Sequence, residues 1–189
     1  PDNGLPGWDR ISGYYYPDST IAGFSHTHLS GTGAGDLYDI SYMPVTLPYR
    51  EAEAPLGIHS KFRHSDEEAS AGYYRVLLKD YNINVELTAT ERCGIQRYTF
   101  PKAQSAVFLN LKKAMNWDFT QDSHIEVVDS CTIQGYRFSD GWARGQRVFF
   151  RTRFSKPFRS SEIDTTAIIQ DGKTIGTAYV ARFNFDTTD

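Results

Sequence analysis

The feature that most restricts this chain is the period of its apolar residues. Ile83, Val85, Leu87 and Ala89 alternate with Asn82, Asn84, Glu86 and Thr88, which on an extended backbone puts the two sets on opposite faces. Similar strand-like runs occupy 73–78, 96–100, 106–111, 125–128, 132–138, 147–154, 165–169 and 177–185. A period of two suits strands that bury one face and is wrong for an amphipathic helix. Asp140-Gly141 and Asp171-Gly172 fall between such runs, and Asp-Gly is the preferred chemistry of tight hairpins. Only 103–117 has a helical flavour, and its apolar spacing completes no stripe. Short strands at intervals of about 8–12 residues predict an all-β, antiparallel β-sandwich. No repeat, low-complexity tract or linker divides the 189 residues, so one domain is the simplest partition.

Composition removes several classes of function. A formal net charge of -3 offers no basic surface to nucleic acid. No apolar run approaches the roughly 20 residues of a membrane-spanning helix, and no signal peptide opens the chain. The opening Pro1-Asp2-Asn3-Gly4-Leu5-Pro6-Gly7 is turn-like and abrupt, which suggests a piece of something longer. The aromatic fraction of 14% serves strands first, although aromatic rings also stack on sugar faces. Cys93 and Cys131 fit neither a metal spacing nor a CxxC motif. Two buried free thiols are the expectation.

Polar chemistry concentrates in the run 23–40. His26 and His28 stand two apart, so they share one side of an extended chain. Gly31, Gly33 and Gly35 follow, then Asp36 and Asp39. Glycine lets backbone turn sharply and come close to a ligand. Several uses fit these residues. His26, His28 and Asp36 could ligate zinc, at a spacing that is not a strong metal signature. Ser25 or Ser30 as a nucleophile would need a base and an oxyanion hole, and neither lies in an elbow sequence. Phosphate cradling lacks the lysine and helix of a P-loop. A tight turn whose histidines are satisfied locally is the remaining reading, with Asp36 holding the turn through backbone N–H groups. Trp8 beside Asp9 suits a sugar, the indole covering the C–H face and the acid accepting from hydroxyls; a core tryptophan fits equally. Trp117 and Trp142 read as packing. Arg63-His64-Ser65-Asp66-Glu67-Glu68 reads as a solvated charged loop, or as a place from which His64 or a neighbouring carboxylate reaches a ligand.

A longer pattern runs through these residues. Gly7-Trp8-Asp9, Ser12-Gly13-Tyr14, Asp18-Ser19-Thr20-Ile21 and the whole of 23–36 resemble the N-terminal domain of glycoside hydrolase family 92, the exo-acting α-mannosidases often found in gut Bacteroidetes. Phe62, His64, Asp66-Glu67-Glu68-Ala69-Ser70, Gly72-Tyr73-Tyr74, Val76-Leu77-Leu78, Glu86-Leu87-Thr88-Ala89-Thr90-Glu91-Arg92 and Arg97-Tyr98-Thr99-Phe100-Pro101 continue it. It is specific over 7–101. Beyond that it thins to strand order, Lys156-Pro157-Phe158 and 178–185.

The resemblance implies a parent with an N-terminal β-sandwich and a C-terminal (α/α)6 barrel, the sugar pocket lying between them. It implies calcium-dependent hydrolysis with inversion, which needs two carboxyl groups roughly 6.5–9.5 Å apart. In the family the carboxylates and calcium ligands come mainly from the barrel. The chain is then a sandwich truncated at both ends, without the barrel and inactive alone, forming one wall of the pocket. On that wall Trp8, Asp9, His26, His28, Thr32 and Asp36 are expected to contact mannose-containing glycan, and the resemblance implies a periplasmic or secreted protein. A lectin-like mannose-binding module is the alternative. Ala71 stands where the family pattern has proline, and Tyr38 where it often has glycine; Tyr38 is placed to reshape the leaving-group subsite.

Overall fold

The computed structural model describes residues 13–27, 37–49, 57–113, 118–141 and 143–188. Their strands, in chain order, are β1 (Thr20–Ile21), β2 (Ser41–Thr46), β3 (Ser60–Lys61), β4 (Glu67–Ser70), β5 (Tyr73–Leu78), β6 (Ile83–Ala89), β7 (Gly94–Thr99), β8 (Ala103–Asn110), β9 (Phe119–Asp129), β10 (Thr132–Asp140), β11 (Gln146–Arg153), β12 (Ser160–Gln170) and β13 (Lys173–Thr187). A 3-10 turn, His64–Asp66, precedes β4. No α-helix occurs among the described residues, and none of their helices is long and apolar enough to cross a membrane. The residues 103–110 form a strand rather than a helix, because Ala106 and Phe108 face one core while Val107 and Leu109 face another.

That alternation explains the architecture. The central sheet has the order β12-β13-β8-β2. On one side Met43, Val45 and Ala106 pack with Val76, Leu78, Ile83 and Val85 of the sheet β4-β5-β6-β7. On the other, Tyr42, Val107, Leu109 and Phe183 pack with Ile125 and Ile133 of the sheet β11-β10-β9. The sandwich therefore has three β layers and two cores. A strand covered on both faces loses the polar-out alternation of an ordinary antiparallel sheet, which is why β2, buried from Ser41 to Val45, carries no period-two signature. Pro44 is tolerated in it because β2 lies at the edge of its sheet.

The turns follow their chemistry. Asp171 and Gly172 both adopt positive φ, 50° and 73°, and close the tight β12–β13 hairpin. Asp140-Gly141 departs from expectation: β10 ends at Asp140 and β11 begins only at Gln146. There the Asp140 carboxylate accepts from the Gly145 backbone N–H at 3.3 Å, so it braces a longer loop. Gly72, with φ 75°, ends the Ala71-Gly72 turn between β4 and β5. Neither cysteine is buried as expected: both are free, Cys93 exposed and Cys131 half-buried.

Candidate functional site

The glycine-rich run begins and ends in a clasp. Phe24 and Tyr42 exchange backbone hydrogen bonds of 2.8 and 2.9 Å. Just beyond, the Thr27 N–H donates to Ser25 Oγ at 3.1 Å, and Thr27 Oγ1 accepts from the Asp39 N–H at 3.1 Å. The Tyr38 N–H donates to the Thr27 carbonyl. Residues on both stems are thus tied together by short polar side chains and backbone groups. On the returning stem Leu37 and Tyr38 both have left-handed backbone, φ 72° and 73°. For residues with a Cβ this conformation is costly.

Below the clasp lies its anchor. Arg137 of β10 is completely buried, and its Nη1 donates to Asp39 Oδ1 at 2.6 Å. Its Nη2 lies 2.9 Å from Asp118 Oδ2, and both carboxylates are as buried as the guanidinium. Nε completes the set, donating to Thr120 Oγ1 at 2.9 Å and to the Leu111 carbonyl at 3.2 Å. Burial pushes the Asp118 carboxyl above the usual carboxylate range against the opposing pull of Arg137. This triad fastens the loop stem to β9 and β10 and offers nothing to solvent.

Beside the clasp a cleft of about 700 Å³ opens, walled by Gly23, Ser25 and Tyr38 from the stems and by Tyr14, Tyr16, Phe62, His64, Glu67 and Tyr74. Glu67 is its hub. His64 Nδ1 lies 2.5 Å from Oε2, Tyr14 donates to Oε2 at 3.3 Å, and Tyr74 donates to Oε1 at 2.5 Å. The spacing is local in origin: the 3-10 turn brings His64 against a residue three positions on. Tyr16 stacks on the His64 ring, centroids 4.0 Å apart and planes 8° from parallel, while Phe62 meets it edge-on. The hydrogen bond to Glu67 raises the His64 imidazole above its ordinary value. Burial and the Glu67 charge push the Tyr14 phenol up to about 12, and burial followed by the hydrogen bond to Glu67 raises Tyr74. Both phenols therefore stay protonated donors at neutral pH.

This arrangement can stack a ring and exchange hydrogen bonds with hydroxyl groups. Among the described lining residues Glu67 is the sole carboxylate.

Of the six residues expected to touch sugar, Trp8, Asp9, His28, Thr32 and Asp36 lie outside the described residues. His26 is exposed, and its ring lies on Gly94 at the start of β7, where an added Cβ would stand 2.3 Å from the imidazole. It is not part of the cleft lining. The run 63–68 places His64 and Glu67 in the cleft wall, and Tyr14 and Tyr74 fall in the segments 12–14 and 72–74 already singled out in the sequence, whereas Tyr16 carried no signal of its own. Among the described residues no group of three His, Cys, Asp or Glu converges as a metal site.

The whole chain, residues 1–189, matches the family model described as the glycosyl hydrolase family 92 N-terminal domain. Its fold is similar to that of the family GH92 α-mannosidase BT3965 from Bacteroides thetaiotaomicron, with a TM-score of 0.82 and 30% identity over 96% of this chain and 26% of that one. The same values describe the likeness to that enzyme in complex with mannoimidazole. The inverting mannosidase BT2199 from the same species shares the fold, with a TM-score of 0.68 and 21% identity over 92% of this chain and 23% of that one. The chain thus spans about a quarter of the length of the enzymes it resembles. No curated protein matches it.

Proposed function

The chain belongs to glycosyl hydrolase family 92 as an N-terminal domain, and from that premise we propose that it forms one wall of the sugar pocket of an exo-α-mannosidase and is not catalytic alone. The observation that carries this reading is the cleft at the foot of the glycine clasp. It offers an open aromatic face, Tyr16 on His64, next to a fixed carboxylate and two phenols. A pyranose presents an apolar C–H face and a rim of hydroxyls, which is the complement of that surface.

In this reading Tyr16 covers the sugar's apolar face. Glu67 holds His64 and the phenols in place and accepts from a sugar hydroxyl. Trp8, Asp9, His26, His28, Thr32 and Asp36 are the further residues proposed to contact the glycan. The general acid and base, inversion and calcium belong to a second domain, of (α/α)6 form. The described residues hold no converging group of three His, Cys, Asp or Glu. A mannose-rich glycan, including N-glycan, is the proposed substrate, and the periplasm or cell envelope the proposed location.

The test is release of mannose from α-linked mannobioses by the intact protein that carries this chain, with and without a calcium chelator, alongside the isolated 189 residues. Calcium-dependent release by the intact protein and none from the isolated chain is the expected result. Absence of release by the intact protein under every calcium condition would overturn the assignment and favour the lectin-like module.

A further inference from the structure

Beneath the clasp two carboxyl groups share one guanidinium, and holding the stem to the sheet does not require both. The side chains of Asp39, Asp118 and Arg137 are each 0% exposed. Arg137 carries a single positive charge throughout the ordinary pH range. It balances one carboxylate. A second carboxylate leaves surplus negative charge in the interior, where an unbalanced charge is expensive. The charged groups acting on Asp118 are Arg137 of β10 and Asp39 of the stem. Lys113, a further cation near the stem, stands with Nζ over the Tyr38 ring, 5.6 Å from its centre.

The hydrogen bonds show which acid is in surplus. Asp39 Oδ1 accepts from Arg137 Nη1 at 2.6 Å. Nη2 comes within 2.9 Å of Asp118 Oδ2. Yet neither Asp118 oxygen has a well-directed hydrogen bond among the described residues, and the same holds for Nη2 and for the Ser139 hydroxyl. Ser139 is completely buried and is a close polar neighbour of Asp118. A carboxylate only accepts, whereas a carboxylic acid has one O–H to donate. With a proton, Asp118 can donate to Ser139 and still accept from Arg137, and the cluster becomes neutral. Burial acts in the same direction, holding the Asp118 carboxyl above its usual range.

The cluster bears on the cleft through a short path. The Asp39 N–H donates to Thr27 Oγ1 at 3.1 Å. Tyr38, the residue before it, donates its N–H to the Thr27 carbonyl and lines the cleft. Leu37 and Tyr38 both hold left-handed backbone, a conformation that persists only where its surroundings enforce it. The Asp39–Arg137 bond is part of that enforcement.

We infer that Asp118 takes up a proton in mildly acidic solution and that this proton latches the glycine clasp, so that its release toward neutral pH loosens Tyr38 and Asp39. Protonation consumes one solvent proton and forms one O–H bond at Asp118; no other covalent bond changes. The inference requires nothing of what the cleft binds, so it stands or falls apart from the reading of that site.

The experiment is hydrogen exchange of the intact protein, read by mass spectrometry between about pH 4.5 and about pH 8 on peptides carrying the Tyr38 and Asp39 amides, with rates corrected for the intrinsic effect of pH. Below the ordinary aspartate value of about 3.9 the closed and opened clasps both hold the proton. Above it the opened clasp loses the proton first, so protection falls until the pH passes the higher value of the closed form and is level beyond. In the unchanged protein the expected loss is about tenfold for each pH unit between the two values. Asp118→Asn, an uncharged mimic of the acid, should match the unchanged protein at the acid end and stay level as pH rises. Asp39→Asn leaves one carboxylate for one guanidinium and should flatten the response as well.

Protection indifferent to pH in the unchanged protein would overturn the inference. A response that survives in Asp118→Asn would also overturn it and trace the effect to His26 or His64. Survival in Asp39→Asn would show that crowding of two carboxylates is not the cause. An Asp118→Asn protein that does not fold, or whose clasp is unprotected even at the acid end, would make Asp118 a permanent ion and reject the latch.

Discussion

Asp39–Arg137–Asp118 and Glu67–His64 are built from the same materials, carboxylate against cation, at two depths of one molecule. In the first all three side chains are completely buried. In the second the Glu67 side chain is 9% exposed and the His64 side chain 32%. Dry ion pairs are expensive to form and more expensive to break, because a lone charge is left in low dielectric. Such a cluster is committed to holding chain segments together. A half-open cluster keeps its geometry through hydrogen bonds and still presents a ring face and hydroxyl partners to the cleft. Depth decides which of the two clusters is scaffold and which is available to a ligand.

The comparison is broken most easily at the buried end. Arg137→Leu strands two carboxylates in the interior and should cost about 3–5 kcal/mol, read as a lower urea midpoint. The loss should also loosen the glycine clasp, since Asp39 leads from its stem. If unfolding in urea is unchanged, the triad does not hold the scaffold.

At the cleft the expected effects are local. His64 is raised by its bond to Glu67, so its stabilising charge is fully present below the ordinary histidine value of about 6.5. It is lost as pH rises through the higher folded value. An NMR titration of the His64 ring should therefore give a midpoint above 6.5, and Glu67→Gln should bring it back toward the ordinary value. A midpoint indifferent to Glu67 would mean that the pair is not formed in solution. Gly94→Ala should displace the His26 ring, whose atoms lie 2.3 to 2.7 Å from the position of an added Cβ. Chemical shifts of His26 should move while those of His64 stay.

The smallest effect is at a turn that belongs to neither cluster. Ala71 is not among the residues with positive φ, while Gly72 after it is, which is the form of a type II turn that favours proline first. Ala71→Pro should therefore stabilise by roughly 0.4–1 kcal/mol, seen as a slightly higher thermal midpoint with no change at the cleft.

The legible parts of the sequence were those with a periodic or local cause. β5 and β6 bury alternate residues over 76–78 and 83–85, and Asp171-Gly172 closes its hairpin by left-handed backbone. β2 was hidden because it is buried on both faces and contains Pro44. Asp140-Gly141 misled because the aspartate serves the loop through its side chain. Of the glycine run, the stem residues Ser25 and Tyr38 line the cleft. The partners of Glu67 come instead from positions 14, 64 and 74, and a long-range meeting of single tyrosines leaves no spacing to read. Arg137 shows the same limit: it occupies an inward position of an alternating strand, and its two carboxylates arrive from elsewhere in the chain.

The most direct test of the central contrast is kcat/KM of the intact protein on an α-linked mannobiose, for the unchanged protein and for Glu67→Gln, with the thermal midpoint measured beside it. Loss of a charge-assisted hydrogen bond at the sugar predicts a fall on the order of tenfold or more in kcat/KM, with little movement of the midpoint. An unchanged kcat/KM, or a fall matched by collapse of the midpoint, would contradict the account and make Glu67 a second piece of scaffold.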